Sequence, residues 1–284
     1  MPSYALMWSG GKDSALALRR ARARGLEVAA LLTFVDERSR RVRFHATRAE
    51  LIAAQAAALG LPLRLFATSW EAFAPTFQDA LRSLAADGFA GVVFGDIHLV
   101  EVRAWYEERV RAAGLEHVEP VWGDAPDALL REFVDGGGRA VITCVELRSL
   151  DASWLGRIID PDFPEAIAAV AVDPCGEFGE YHSFAFDGAP FRHAVRWSPG
   201  PTREEQGFLQ LDLVDPAEAA AEETARTQAG LLADAVAERP KAWGALAAAG
   251  VLVYRERTGR APDNDARRAI WAALWRRVEE TRAR

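Results

Sequence analysis

The chain has 284 residues, half of them hydrophobic and 26% charged, and its 34 basic and 41 acidic residues give a formal net charge of −7. This composition is typical of a globular protein with one large domain or two smaller ones, and it excludes the disordered and fibrous classes. The negative charge disfavours a protein that mainly binds nucleic acid, and no apolar stretch approaches the ~20 residues of a membrane span.

Two cysteines, Cys144 and Cys175, are too few for a disulfide scaffold or a four-thiolate zinc site. The first residues also lack a basic segment that leads into an apolar signal core. We therefore expect a cytoplasmic protein with free thiols and no membrane attachment. Cys144 falls inside an apolar run and is predicted to be a small buried hydrophobic side chain.

The first 145 residues alternate short apolar runs with stretches of helical periodicity. The runs predict strands over residues 4–8, 28–35, 63–67, 92–95 and 140–145. The periodic stretches predict helices over residues 14–24, 47–59, 70–86, 101–113 and 126–134. This alternation indicates an α/β fold, in which a parallel five-stranded sheet carries helices on both faces and binds ligands at the carboxyl ends of its strands.

A hexapeptide with adjacent glycines links the first predicted strand to the first predicted helix. Glycines let the backbone approach an anion closely, and the N-terminus of a helix favours negative charge at the same place. The alternative is a glycine turn that only caps the helix, but the position after the first strand favours a phosphate-binding loop. The loop consists of Ser9, Gly10, Gly11, Lys12, Asp13 and Ser14.

This loop differs from the Walker loop, because its glycines are adjacent and Asp13 stands between Lys12 and Ser14. A carboxylate beside a polyphosphate repels it unless a cation lies between them. Asp13 is therefore expected to help bind Mg²⁺.

Two other residues of the α/β region are candidates for ligand contact. Asp96 follows the fourth predicted strand, where ligands bind, although an N-cap of the next helix explains it equally well. His45 follows a basic run after the second strand and is a candidate for the nucleotide cleft, the alternative being an ordinary surface or core histidine.

Beyond residue 201 the composition shifts to Ala, Glu and Arg, which indicates a small helical appendage. Asp215, with Pro216 and Glu218, forms a helix start of the capping-box type, and Pro240 ends that helix. Asp263 starts another helix. Its apolar stripe is expected to pack against the main body, the preceding helix or a second subunit of a homodimer, and consists of Ile270, Trp271, Leu274, Trp275 and Val278.

Several motifs resemble those of one known family. The hexapeptide resembles the pyrophosphate loop of the N-type ATP pyrophosphatases, and about residues 4–197 resemble the diphthine-ammonia ligase family, in its bacterial-type branch. The resemblance rests on the loop and on Phe-His at 44–45, Val-Phe-Gly-Asp at 93–96, Pro-Val-Trp-Gly at 120–123, Ser-Trp-Leu-Gly-Arg at 153–157, Cys-Gly-Glu-Phe-Gly-Glu-Tyr-His-Ser-Phe at 175–184 and Phe-Asp-Gly-Ala-Pro-Phe at 186–191. Ser183 stands where the family usually has Thr, a change that keeps the hydroxyl.

The resemblance implies a PP-loop fold of the HUP type, with ATP and Mg²⁺ as cofactors and ammonia as a substrate. A substrate carboxylate attacks the α-phosphate of ATP, pyrophosphate leaves into the loop, and ammonia displaces AMP to give an amide. The nucleotide contacts that it implies outside the loop are Thr33, His45, Gly95 and Asp96. The implied substrate contacts are Trp154, Gly156, Arg157 and Tyr181, and the implied catalytic residues are Lys12, Asp13, Glu177, Glu180 and His182.

The residue types leave alternatives open at two of these places. In the glycine-rich segment 175–184, Glu177 or Glu180 could bind ammonium and accept its proton, and His182 suits proton transfer near neutral pH. The alternative for this segment is an acidic hairpin turn with a structural role. Arg157 could hold an acidic substrate or the adenylate phosphate, or could be a surface arginine beside a packing Trp154.

We expect an ATP-binding domain over residues 1–98, a substrate and ligation region of α+β type over 99–215 and the appendage over 216–284. The acyl substrate stays open as a small molecule or a protein side chain. Three alternatives are weighed against diphthine-ammonia ligation: amidation of a bacterial small molecule, for example in cobalamin metabolism, a regulatory module that binds adenine nucleotides without ligation, and a tRNA-modifying pyrophosphatase. The last would need catalytic cysteines and a basic face, which the two cysteines and the net charge do not favour.

Overall fold

The computed structural model describes residues 2–42 and 46–283. The chain forms two compact units. The first comprises Met1–Val195 with Pro201–Asp212, and the second comprises Arg196–Gly200 with Leu213–Arg284. Within the described ranges, no helix combines the length and the apolar character that crossing a membrane requires.

A parallel sheet of five strands forms the centre of the first unit. Its strands are β1 (Ser3–Met7), β2 (Glu27–Asp36), β3 (Leu63–Thr68), β4 (Gly91–Val93) and β5 (Glu116–Val118). They lie in the order β3-β2-β1-β4-β5, so the winding direction reverses between β1 and β4. Ligands of open α/β sheets bind at such a reversal, outside the carboxyl ends of the strands.

Helices cover both faces of this sheet, which confirms the predicted fold class. They are α1 (Lys12–Ala23), α2 (Ala49–Leu59), α3 (Phe73–Ala86), α4 (Val100–Ala112) and α5 (Pro126–Asp135). Helices α1, α2 and α5 bury their apolar residues against one face, whereas α3 and α4 bury theirs against the other.

A second sheet is antiparallel around its central strand. It contains β6 (Arg139–Glu146), β7 (Ile158–Ile159), β8 (Tyr181–Asp187), β9 (Ser198–Glu205) and β10 (Phe208–Val214), and α6 (Phe163–Ala168) lies between β7 and β8. Strand β8 pairs along one edge of β6, and β7 and β10 pair with the two ends of its other edge. Buried side chains of β6 and β8 share the core that packs against α1 and α2.

One strand assignment from the sequence is wrong. Residues 140–145 do form a strand, but it is β6 of the antiparallel sheet. The fifth parallel strand is β5, which has three residues, none of them buried, at the edge of the sheet. Such a short and half-polar segment carries no apolar run that the pattern could detect.

The described residues of the second unit form four helices: α7 (Pro216–Thr227), α8 (Ala229–Val236), α9 (Ala242–Thr258) and α10 (Asn264–Arg282). The carboxylate of Asp215 caps α7 by accepting bonds from two backbone N–H groups, and that of Asp263 caps α10, as predicted. The single helix predicted up to Pro240 is instead divided at Gln228. Just before this break the hydroxyls of Thr224 and Thr227 donate to carbonyls one turn back, a pattern that bends helices.

The apolar stripe of α10 is only partly buried. Ile270, Leu274 and Val278 are fully covered, and the core around them also contains residues of α7 and α9. Trp271 and Trp275 remain 43% and 42% exposed, although Trp275 packs edge-on against Trp243 with ring centres 5.2 Å apart, so packing within the chain does not bury them and burial against a second subunit stays a prediction. Each tryptophan follows a buried residue by one position, which rotates it about 100° around the helix and onto the flank of the stripe.

Candidate active site

The hexapeptide 9–14 connects the carboxyl end of β1 to the amino end of α1. Gly11 is the N-cap of α1, and because glycine has no side chain, nothing from this residue covers the first turn of the helix. The hydroxyls of Ser9 and Ser14 lie 2.8 Å apart, and the N–H of Gly11 donates to Ser9 Oγ over 3.2 Å. The loop therefore folds over the N-terminus of a helix, where an anion is favoured.

Two glycines allow the chain to pack closely around this loop. Gly10 has a φ of +87°, and a Cβ there would lie 2.7 Å from Ile52 Cδ1. Gly95 follows β4, and its Cβ would lie 3.1 Å from the carbonyl carbon of Asp13 and 3.2 Å from the nitrogen of Ser14. Because backbone atoms cannot move aside, a side chain at position 95 would separate the end of β4 from the loop.

Lys12 supplies a fixed positive charge. Its side chain is 2% exposed, and its Nζ lies 2.9 Å from both carboxylate oxygens of Asp13. The same ammonium donates to the carbonyl of Cys175 and lies 5.1 Å from the centre of the Tyr181 ring. Burial alone would lower the pKa of Lys12, but the charge of Asp13, the smaller contributions of Tyr181 and Cys175 and the bond to the Asp13 carboxylate together outweigh burial and hold this pKa well above its usual value.

A cavity of about 860 Å³ lies beside the loop, at the carboxyl edge of the parallel sheet. Its volume is typical of sites for small molecules and cofactors. The structure brings nine of the residues predicted from sequence together in its wall: Ser9, Lys12, Asp13, Ser14, Gly95, Asp96, Glu177, Tyr181 and His182.

Three carboxylates of this wall affect one another. Burial raises the pKa of Asp96 to about 6 and that of Glu177 to about 7, and the charge of Asp13 adds to both shifts. Burial also raises the pKa of Asp13, although Lys12 opposes the shift. Glu177 Oε1 accepts a 2.8 Å bond from the N–H of Ile97, which holds this carboxylate in place. Acids that change charge near neutral pH inside a cleft are suited to proton transfer.

Glu180 has a different environment from Glu177. Its Oε1 accepts a bond from the N–H of Asp173 over 3.0 Å, and its Oε2 accepts one from the N–H of Phe178 over 3.1 Å. The side chain is absent from the cavity wall. Because both oxygens bind the backbone of its own loop, Glu180 shapes the loop, and the assignment of Glu180 to catalysis is not supported by this geometry.

The predicted substrate contacts around Trp154 also lie away from the cavity wall. Trp154 is buried and packs edge-on against Phe163, with ring centres 5.8 Å apart. The guanidinium of Arg157 lies 4.6 Å from the centre of the Trp154 ring, and Arg157 is exposed. Gly156 provides the turn between them, with a φ of +78°. This is the arrangement of a surface arginine beside a packing tryptophan.

Three predictions about nucleotide contacts have different outcomes. Thr33 is fully buried, and its hydroxyl donates to the carbonyl of Trp8 over 2.7 Å, so it joins β2 to β1 outside the cavity wall. The N-cap of α4 is Leu99, so Asp96 does not cap this helix. Of the two explanations for Asp96, the position at the end of a strand, where ligands bind, is the one that stays. The prediction for His45 lies outside the described residues.

Sequence reasoning missed the aromatic part of the cavity. Phe73 stacks on Trp105 with ring centres 5.7 Å apart, and Phe34 packs edge-on against Phe73 at 5.3 Å. Aromatic residues at helical spacing indicate a core more often than a binding wall, so composition could not distinguish the two. A signal existed only for Trp70 and Phe94, which follow the carboxyl ends of β3 and β4. The aromatic wall consists of Phe34, Trp70, Phe73, Phe94, Trp105 and Tyr106.

The fold and this loop define a PP-loop protein of the ATP pyrophosphatase class. Residues 2–117 match the model of the diphthamide synthase N-terminal domain, and residues 125–210 match that of the diphthamide synthase C-terminal domain. Together the matches cover well over half of the chain. The chain therefore belongs to the diphthamide synthase family, which is the diphthine-ammonia ligase family of ATP-using enzymes.

Among solved structures, the chain is similar to the U34-tRNA thiolase NcsA from Methanococcus maripaludis with its [4Fe-4S] cluster. The two are 14% identical with a TM-score of 0.30, and the match covers 47% of this chain and 56% of the thiolase chain. The chain thus spans little more than half the length of that thiolase. None of the curated proteins compared with the chain matches it.

Proposed function

We propose that this protein is an ATP-dependent ligase that joins ammonia to a carboxylate through an acyl-adenylate and releases AMP and pyrophosphate. The observation that carries the proposal is the wall of one cavity, which combines a phosphate-binding loop with Glu177, an acid whose pKa is about 7. A ligase of this kind needs both groups in one place. The first half-reaction expels an anion, and the second transfers a proton.

In the first half-reaction, an oxygen of the substrate carboxylate forms a bond to the α-phosphorus of ATP. The bond from that phosphorus to the oxygen that bridges to the β-phosphate breaks, and pyrophosphate leaves with the bonding electrons. The N-terminus of α1, the hydroxyls of Ser9 and Ser14 and the ammonium of Lys12 stabilise the charge that develops on this leaving group. Lys12 exchanges its bond to Asp13 for phosphate oxygens in this step.

In the second half-reaction, the nitrogen of ammonia forms a bond to the acyl carbon, and the bond from that carbon to the phosphate oxygen breaks to release AMP. Ammonium must lose one proton before it can attack, and the carboxylate of Glu177 accepts this proton. The nitrogen of the new C–N bond loses a second proton to solvent as AMP leaves. Asp96 lies in the same wall and adds negative charge that attracts ammonium. His182 lines the same cavity as a further donor for the acyl group, whereas the hydroxyl of Tyr181 donates to the carbonyl of Pro174 over 2.6 Å.

The cavity also fits Mg²⁺. Proteins usually hold Mg²⁺ through one or two carboxylates together with phosphate oxygens of the substrate, and Asp13 provides such a carboxylate. When bound, Mg²⁺ neutralises charge on the phosphates.

The thiols argue against sulfur transfer to tRNA as the alternative activity. Burial raises the pKa of Cys144 to about 12 and also raises that of Cys175 well above its usual value. Both cysteines are buried, and although Cys175 contributes to the cavity wall, its Sγ donates to the carbonyl of Pro126 over 3.2 Å, whereas a sulfur carrier needs an accessible thiolate. The second alternative is a regulatory module that binds ATP without ligation, and the test below distinguishes it from a ligase.

The test uses ¹⁵N-labelled ammonium with ATP and Mg²⁺, supplied separately with the small-molecule and the protein fraction of a cell extract. The proposal expects a product that gains ¹⁵N only when ATP is present, and the fraction that yields it identifies the acyl substrate as a small molecule or a protein side chain. Glu177→Gln serves as the matched control and should bind ATP without forming the labelled product. ATP binding without any labelled product in either fraction would instead support the regulatory module.

A further inference from the structure

A buried glutamine that the proposed function does not use lies behind the phosphate loop. Gln55, on α2, is 0% exposed. Its Oε1 accepts a 2.9 Å bond from Trp8 Nε1, and its Nε2 donates to the carbonyl of Gly10 over 2.9 Å and to the carbonyl of Ala185 over 2.6 Å. These three bonds join α2 to β1, to the loop and to β8.

The orientation of this amide is fixed by its partners. The indole nitrogen of Trp8 can only donate, and the two carbonyls can only accept. The amide oxygen of Gln55 must therefore face Trp8, and both hydrogens of its nitrogen are used. Glutamate has the same shape but cannot donate two such bonds, and leucine can donate none.

The carbonyl of Gly10 accepts a second bond, from the N–H of Ala185, over 2.8 Å. Both lone pairs of this oxygen are therefore occupied on the side of the loop away from the cavity. Because a peptide unit is planar and trans, fixing the Gly10 carbonyl turns the N–H of Gly11 in the opposite direction. That N–H points towards Ser9 Oγ, on the side of the loop that lines the cavity.

We propose that Gln55 is a positioning residue that holds the Gly10–Gly11 peptide with its N–H towards the phosphates of the nucleotide. The same side chain ties the loop to β8, and the N–H of Lys12 donates to Ser183 Oγ of β8 over 3.3 Å. Through Gln55, the loop that binds phosphates is joined to the strand that contributes Tyr181 and His182 to the cavity.

The test compares the affinities of Gln55→Leu and the natural protein for ATP, pyrophosphate and adenosine by calorimetry. Removal of the amide leaves the two carbonyls with fewer donors and lets the loop peptide turn, so the affinities for ATP and pyrophosphate should fall about tenfold or more. The affinity for adenosine, which has no phosphate, should stay within about twofold. The measurement needs no amide formation, so it can fail independently of the proposed reaction.

Leu59→Ala is the control, because Leu59 lies one turn further along α2, is equally buried and makes none of these bonds. It should lower stability without changing the preference for ATP over adenosine. Gln55→Glu provides a second variant if Gln55→Leu does not fold, since it keeps the acceptor for Trp8 and loses the paired donors. Unchanged affinity for pyrophosphate in a folded variant, or an equal loss for ATP and adenosine, would overturn the proposal.

Discussion

Gly10→Ala tests how closely the phosphate loop packs against α2. The φ of +87° costs a residue with a Cβ roughly 1–2 kcal/mol. The new methyl group would also lie 2.7 Å from Ile52 Cδ1 and 2.8 Å from Gln55 Oε1, and both side chains are fully buried. Overpacking of this kind costs typically about 1–3 kcal/mol, so the variant should lose about 2–5 kcal/mol of stability in the first unit.

Hydrogen exchange of the β1 amides measures this loss in the first unit alone. Gly25→Ala is the matched control, because Gly25 has a φ of +80° and no atom lies within 4 Å of the position that its new methyl group would take. Gly25→Ala should lose only the stability that the positive φ costs, roughly 1–2 kcal/mol, and should keep its affinity for ATP. Gly10→Ala should in addition bind ATP more weakly, because the methyl displaces the amide of Gln55. Equal losses of stability in the two variants would refute the argument from close packing.

Three further predictions concern a carboxylate of the cavity, an ion pair and the second unit. The rate of amide formation should rise with pH through about 7, since only ionised Glu177 accepts a proton. In kinetic assays, Glu177→Gln should abolish this pH dependence and lower the rate about a hundredfold or more. Asp212 accepts bonds from Arg41 over 2.7 Å and Arg48 over 3.0 Å, and these arginines outweigh burial and hold its pKa below the usual value. Asp212→Asn should therefore lower the free energy of unfolding at pH 7, and urea titrations should show this difference shrinking as the pH falls below about 4. Leu274→Ala should destabilise the second unit by about 2–5 kcal/mol in hydrogen exchange of α10 and leave the affinity for ATP unchanged.

The parts of the fold that the sequence predicted depend on local patterns. Adjacent glycines after an apolar strand and before a helix are visible in the chain, and so are the aspartates that cap α7 and α10. Strand β5 was missed because it has only three residues and two of them, Glu116 and His117, are polar. Its place in the sheet depends on pairing with β4, which no local pattern encodes.

The parts of the site that the sequence could not predict depend on contacts between distant segments. Glu177 and Glu180 have the same side chain in one short loop, and they differ in the backbone N–H groups that bind them and in that Glu177 lines the cavity whereas Glu180 does not. Gln55 lies among alanines on α2 and carries no local sign of function, because its partners are 45 or more residues away along the chain. Arg157 shows the converse, since a motif that suggests substrate binding lies outside the cavity wall.

In the proposed reaction, one cavity activates a carboxylate with ATP and then transfers the acyl group to ammonia. Chromatography of the products formed with Mg²⁺, ammonium and the extract fraction that supplies the acyl substrate follows both steps. We expect equal amounts of AMP and pyrophosphate, formed only when the substrate fraction is present and absent when Lys12 is replaced by alanine. ADP and inorganic phosphate as the products would rule this reaction out.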